Sequence, residues 1–233
     1  MTRRQRTLIV AVAVATIVTA ALASDGAYFS QSWGWVALAF LMPTAVLLIL
    51  DRVAWPGPFR VAFASLIGAL ALWVGLSTIW SISASASARE GERMLVYVAV
   101  VLAIMVVLRR GDGPGVLAGA LIGIALVSSY GLATRLVPDR FDASIDRFNA
   151  TRLAEPIGYW NSYGLLTSMG VIVAVGVVAH SRRASFALAA GATVPLFVVA
   201  LYLSFSRGSW LALFFGLAAT VVLDPRRLTF LWS

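Results

Sequence analysis

FALAAGATVPLFVVALYLSFSRGSWLALFFGLAATVVL, residues 186–223, contains one charged residue, Arg207. A helix needs about 20 apolar residues to cross the hydrocarbon of a bilayer. The run is too long for one crossing and suits two, provided the chain reverses at Ser204-Phe205-Ser206-Arg207-Gly208-Ser209. So short a turn forces an antiparallel pair and sets Arg207 at the membrane surface. The same reading extends to the rest of the chain. Eight apolar runs stand out: Leu8–Ala23, Trp33–Leu50, Val61–Trp80, Met94–Leu108, Val116–Val137, Ile157–Ala179, Phe186–Leu203 and Ser209–Leu223. The expected fold is an all-α, polytopic transmembrane helical bundle of about eight spans, forming a single domain over residues 1–233.

Composition agrees. Hydrophobic residues make up 61% of the chain and charged ones 12%, with a mean hydropathy of +0.91. A soluble domain carries about twice that charge fraction, so the lipid bilayer is the expected partner. Turn residues punctuate the runs: Asp51-Arg52, Trp55-Pro56-Gly57-Pro58, Arg109-Arg110-Gly111-Asp112-Gly113-Pro114 and Asp224-Pro225-Arg226-Arg227. Trp33, Trp35, Trp55, Trp80, Tyr159 and Trp160 fall at span ends, where amphipathic rings sit well.

All 18 basic residues are arginine, and the net charge is +8. They lie between apolar runs, which suits topology and anionic lipid, and no nucleic-acid partner is expected. Alternating the spans puts Arg3, Arg4, Arg6, Arg52, Arg60, Arg109, Arg110, Arg182, Arg183, Arg226 and Arg227 on one side. Arg89, Arg93, Arg135, Arg140, Arg147, Arg152 and Arg207 fall on the other. The larger set marks the cytoplasmic side, giving N-in and C-in. Arginine as the sole basic residue, with much Ala, Val, Leu and Gly, points to a GC-rich bacterial genome and a multi-pass protein of its cytoplasmic membrane. The first run also reads as a signal peptide, with Ala21-Leu22-Ala23 before Ser24 as its cleavage site.

Some chemistry is excluded. There is no cysteine, hence no disulfide or thiolate, and His180 is the only histidine. No metal and no cofactor are expected.

Three features could hold a site. The longest loop, Pro138–Pro156, holds Arg140, Arg147 and Arg152 among Asp139, Asp142, Asp146 and Glu155, and Arg135 ends the preceding span. It reads either as a solvated loop of balanced charge or as an outer-face site for an anionic group, since guanidinium matches phosphate oxygens and keeps its proton. Next, Asn161 lies about a turn into an apolar span, behind Tyr159 and Trp160. It reads as glue between helices, or as a cavity wall suited to a sugar or lipid headgroup. Last, Arg207 reads as a snorkelling cation or as a fixed charge facing the same site, with Ser206 beside it. Ser77–Ser81 and the balanced Arg89-Glu90-Gly91-Glu92-Arg93 read more weakly, as the start of a surface helix.

These stretches resemble the O-antigen ligase and O-antigen polymerase family of bacterial membrane glycosyltransferases. Arg152-Leu153 followed by Pro156-Ile157-Gly158-Tyr159-Trp160-Asn161 is similar to that family's arginine-led approach to a span, and Leu203–Leu211 is similar to its Ser-Arg-Gly hairpin. Leu76–Ser81 is a less specific likeness, and Tyr159-Trp160-Asn161 looks like the actinobacterial branch. The resemblance implies transfer of a glycan from a polyprenyl-pyrophosphate carrier, undecaprenyl pyrophosphate, to an acceptor outside the cytoplasmic membrane. It also implies that Arg152 and Arg207, with Arg135 as a looser member, bind the pyrophosphate. Tyr159, Trp160, Asn161 and Ser206 would then line the cavity. Fixed cations there would stabilise the charge that grows on the leaving pyrophosphate.

The chain departs from the family in one respect. Members have further spans after the hairpin and an external loop whose histidine acts as base, whereas His180 falls on the cytoplasmic side. The expectation is therefore an N-terminal part of a longer domain that binds carrier lipid, with no catalytic residue assigned. Two rivals stand beside it: a transporter or flippase for a lipid-linked anion, which uses the same outer arginines, and a noncatalytic scaffold packed through small residues such as Gly164, Ser168, Gly170 and Gly191.

Overall fold

The computed structural model describes residues 2–24, 26, 30–49, 57–109, 111–140 and 152–224. Among them are eight α-helices and no strand: α1 (Arg3–Ala23), α2 (Ser30–Ile49), α3 (Pro58–Leu76), α4 (Ala84–Val107), α5 (Gly113–Leu136), α6 (Trp160–His180), α7 (Ala184–Ser204) and α8 (Arg207–Leu223). Each apolar run of the sequence has its helix. Five stretches are long and apolar enough to cross a membrane: Arg3–Ala23, Pro58–Ile79, Gly113–Leu136, Trp160–His180 and Ala184–Ser204. The apolar parts of α2 (Trp33–Val46) and α8 are shorter.

The surface is that of a protein solvated by lipid. Leu211, Phe214, Phe215, Val222 and Leu223 of α8 are exposed, as are Leu8, Ile9 and Val12 of α1. The fully buried positions include Ser128, Ala174, Thr167 and Ser204. Lipid tails give apolar side chains little reason to turn inward, so small and hydroxyl-bearing residues make close helix contacts, here beside a few large buried ones, Tyr163, Phe197 and Leu201.

The helices fall into two compact units. One comprises Met1–Gly26 and Gly113–Ser233, the other Ala27–Asp112. In the first, α1 opens on a capping box: the Thr2 hydroxyl accepts from the Gln5 amide at 3.2 Å and the Thr2 amide donates to the Gln5 side chain at 2.8 Å. This cap starts the helix ahead of the apolar run, so Arg3, Arg4 and Arg6 are helical. α1 then lies along a row of glycines on α5. A Cβ on Gly115 would sit 2.8 Å from the Thr7 carbonyl oxygen, and one on Gly123 would sit 2.8 Å from Val18 Cγ1. Between them, Gly119 meets the Ala11 carbonyl. Both helices advance by four residues per contact, so they run parallel with their backbones nearly touching. The row is a small-xxx-small seam.

α6 runs antiparallel to α5, with Gly170 against Ile124 and Gly131 against Tyr163. α7 returns antiparallel to α6, with Phe197 on Gly170. α8 runs parallel to α6, pairing Gly164 with Ser209 and Ile172 with Gly216. Two buried clusters tie these helices together, one around Leu121, Val171, Phe197 and Leu201, the other around Val127, Leu153, Ile157 and Tyr163. These directions leave the start of α1 and the Arg182-Arg183 turn at one end of the unit, and Arg135, Arg152 and Arg207 at the other.

In the second unit, α4 packs against both α2 and α3. Gly91 and Gly75 bring α3 and α4 together: a Cβ on Gly91 would lie 3.4 Å from Gly75 Cα.

Several boundaries differ from the sequence reading, α4 and α6 most instructively. α4 begins at Ala84 rather than Met94: the small and polar stretch Ala84–Arg93, whose charged end reads from sequence as the start of a surface helix, is continuous with the apolar run, with Arg93 paired to Glu90 at 3.0 Å. α6 begins at Trp160 rather than Ile157. The amides of Ile157 and Gly158 both donate to the Ala154 carbonyl at 3.0 Å, and Gly158 has φ 78, so these residues form a turn.

Candidate functional site

The turn between α7 and α8 is two residues long, and its geometry is set by serines. Phe205, with φ 52 and ψ 28, ends α7 in a left-handed conformation. Ser206 caps α8 by accepting from the Ser209 amide at 3.3 Å. The Ser209 hydroxyl donates to the Asn161 carbonyl at 3.3 Å. The Ser206 and Ser209 hydroxyls lie 2.7 Å apart and share a hydrogen bond. The Ser204 hydroxyl donates to the Leu201 carbonyl at 2.7 Å. The Ser168 hydroxyl lies 2.9 Å from the Gly164 carbonyl and 3.0 Å from that of Ser209. Gly164 is what lets this network touch α6, since a Cβ there would lie 2.7 Å from both Ser204 Oγ and Ser209 Oγ.

The hairpin thus turns its hydroxyls inward. Ser206 is 2% exposed and serves as a helix cap. Arg207, the next residue, is exposed.

The segment before α6 is fastened to the same hairpin. The Leu153 amide donates to the Leu203 carbonyl at 2.9 Å, and Leu153, Pro156 and Ile157 are buried. From the other side α5 supports it: the Tyr163 hydroxyl donates to the Ser128 carbonyl at 3.1 Å, and Gly131 leaves room for Glu155.

Buried anchors on both sides leave Arg152 exposed, with its guanidinium carbon 4.8 Å from the centroid of Trp160. Trp160 in turn lies 5.0 Å from Tyr159, ring to ring, at 49°. The exposed Asn161 donates from Nδ2 to the Tyr159 hydroxyl at 2.7 Å. No side chain caps the amides that open α6. Arg152, Tyr159, Trp160 and Asn161 therefore make one surface, next to the turn that bears Arg207. Arg135 leaves the last turn of α5 at this same end.

His180 lies at the far end of α6, with Nε2 3.0 Å from Asp224 Oδ2 and Nδ1 3.0 Å from the Gly176 carbonyl oxygen. Arg147, Asp142 and Asp146 of the long loop lie outside the described residues, as do Asp51, Arg52, Trp55, Arg110, Arg226 and Arg227.

Sequence reasoning found the exposed side chains of this surface and missed what fastens them. Ser209 and the Leu153–Leu203 bond carry no motif of their own. The glycine row of α5 does have a signal, the spacing of four between Gly115, Gly119 and Gly123. Of the small residues expected at helix contacts, Gly164, Ser168 and Gly170 are at such contacts, whereas Gly191 has only a 3.7 Å neighbour in Val178.

No family model, curated protein or solved structure matches the chain.

Proposed function

We propose that this chain is a multi-pass protein of a bacterial cytoplasmic membrane, with about eight spans and both ends inside. In this reading it grips the diphosphate of a polyprenyl-linked glycan at the outer face, as O-antigen ligases and polymerases do. The observation behind it is the fastening of Arg152 to the turn of Arg207. A hydrogen bond from Leu153 to Leu203 and another from Ser209 to Asn161 bring two exposed guanidinium groups to one end of one unit.

The chemistry follows from those groups. A diphosphate offers several anionic oxygens, and guanidinium pairs with them through two parallel N–H bonds while holding its charge at any physiological pH. Cations on a rigid frame bind such a group without first being ordered. If the glycosyl–oxygen bond breaks there, the same cations stabilise the charge left on the departing diphosphate. His180 is about 30 Å away along α6, at 1.5 Å per residue, so deprotonating an acceptor at this end falls to some other group.

The test is binding of undecaprenyl pyrophosphate to the whole chain in lipid nanodiscs. Arg152→Ala and Arg207→Ala are each expected to weaken binding about tenfold or more, with Lys replacements recovering part of it. The double change Arg182→Ala/Arg183→Ala, at the other end, is expected to leave it unchanged. Wild-type affinity in both outer variants overturns the reading.

A further inference from the structure

The surface from Arg152 to Asn161 contains more than a diphosphate uses. An anion needs donors and positive charge; it has no use for an aromatic face. Yet the Tyr159 ring is 48% exposed while held from two directions, by the Asn161 amide on its hydroxyl at 2.7 Å and by Trp160 at 5.0 Å. Trp160 is itself covered by Arg152. A ring that serves only as an interfacial anchor keeps its hydroxyl for water and headgroups. This hydroxyl is instead engaged by a neighbour that is itself exposed.

We propose that the Tyr159 ring and the Asn161 amide receive the first sugar of the carrier, the pyranose joined directly to the diphosphate. The inference rests on the carrier reading above and names the part of the carrier that these two residues distinguish.

A pyranose has a face of C–H bonds and a rim of hydroxyls. The C–H hydrogens carry slight positive charge and are drawn to the negative face of an aromatic ring. The rim needs donors and acceptors in fixed positions. Bonding to Tyr159 through one Nδ2–H leaves Asn161 its amide oxygen and its second N–H, one acceptor and one donor beside the ring. Arg152 stands over the adjoining indole, so a sugar on Tyr159 has its diphosphate within the region of the cation. The turn at Gly158 fixes the backbone from which Tyr159 leaves, so little order remains to be imposed on binding.

The test compares two probes on the whole chain in nanodiscs: undecaprenyl pyrophosphate, and the same lipid bearing one N-acetylhexosamine. Wild type is expected to bind the sugar-bearing lipid more tightly, by roughly 2–10-fold. Tyr159→Leu should bring that ratio to about one; both probes carry the same diphosphate, so any loss of grip common to the two cancels in the ratio. Tyr159→Phe keeps the ring and is expected to retain most of the ratio, which separates stacking from loss of fold. Equal binding of both probes by wild type, or a ratio that survives Tyr159→Leu, overturns this inference and leaves the diphosphate grip standing. Failure of wild type to bind either probe overturns both.

Discussion

Gly164 of α6 meets Ser209 of α8 so closely that a Cβ on the glycine would lie 2.7 Å from the serine hydroxyl. The same Cβ would crowd Ser204 Oγ equally, and both hydroxyls are held by hydrogen bonds that they would have to break to turn away. Gly164→Val is therefore expected to separate α6 from the hairpin and lower stability by about 1–3 kcal/mol. Gly208→Ala, where nothing lies within 4 Å of the new methyl, is expected to be neutral or slightly stabilising. Thermal unfolding in one detergent compares the two. Equal melting temperatures would show that the hairpin does not depend on this contact.

The parallel seating of α1 on α5 predicts that residues 3–23 stay in the mature protein, contrary to the signal-peptide reading. Gly119 approaches the Ala11 backbone too closely for any side chain, so the seam is matched to α1 along three glycines. The intact mass of protein extracted from membranes is expected to include α1. Gly119→Leu is expected to release α1 and expose it to protease. A mature protein starting near Ser24 would refute this.

Tyr163 is fully buried and donates to the Ser128 carbonyl, joining α6 to α5 behind the Arg152 segment. Tyr163→Phe removes the donor and leaves a carbonyl of a helix that already bonds within itself. The expected loss is about 0.5–1.5 kcal/mol, read from unfolding in detergent or by steric trapping in a bilayer. A larger loss would mean that the hydroxyl also orders the segment before α6.

The absence of cysteine gives a direct test of sidedness. Single changes Arg152→Cys, Arg207→Cys and Arg182→Cys are expected to react differently with a membrane-impermeant maleimide. On intact cells the first two label, and the third labels only after permeabilisation. The opposite pattern would place the guanidinium surface in the cytosol and remove the carrier reading.

The fold was legible because lipid imposes one demand, that each span be apolar for its whole length, and hydropathy measures this directly. α4 shows the limit: its first ten residues, Ala84–Arg93, are small or polar, yet they form one helix with the apolar run that follows. The site was half legible. On the proposed topology Arg152 and Arg207 fall on the side that disfavours positive charge, and that cost is what singles them out in the sequence. Ser206 could not be placed, because a serine in a hairpin reads alike whether it faces a ligand or caps a helix. What fastens the segment before α6 to the end of α7 is a backbone bond, Leu153 to Leu203, and backbone bonds between distant residues leave no mark on residue type.

The α1–α5 seam joins residues about a hundred positions apart, with the three helices of the other unit made in between. At roughly 5–20 residues per second of translation, α1 waits in the bilayer for about 5–20 seconds before its partner emerges. During biogenesis the apolar strip of α1 therefore faces lipid or an insertion factor alone. Assembly of this unit is a late event, gated by synthesis of α5 rather than by the speed at which helices pack.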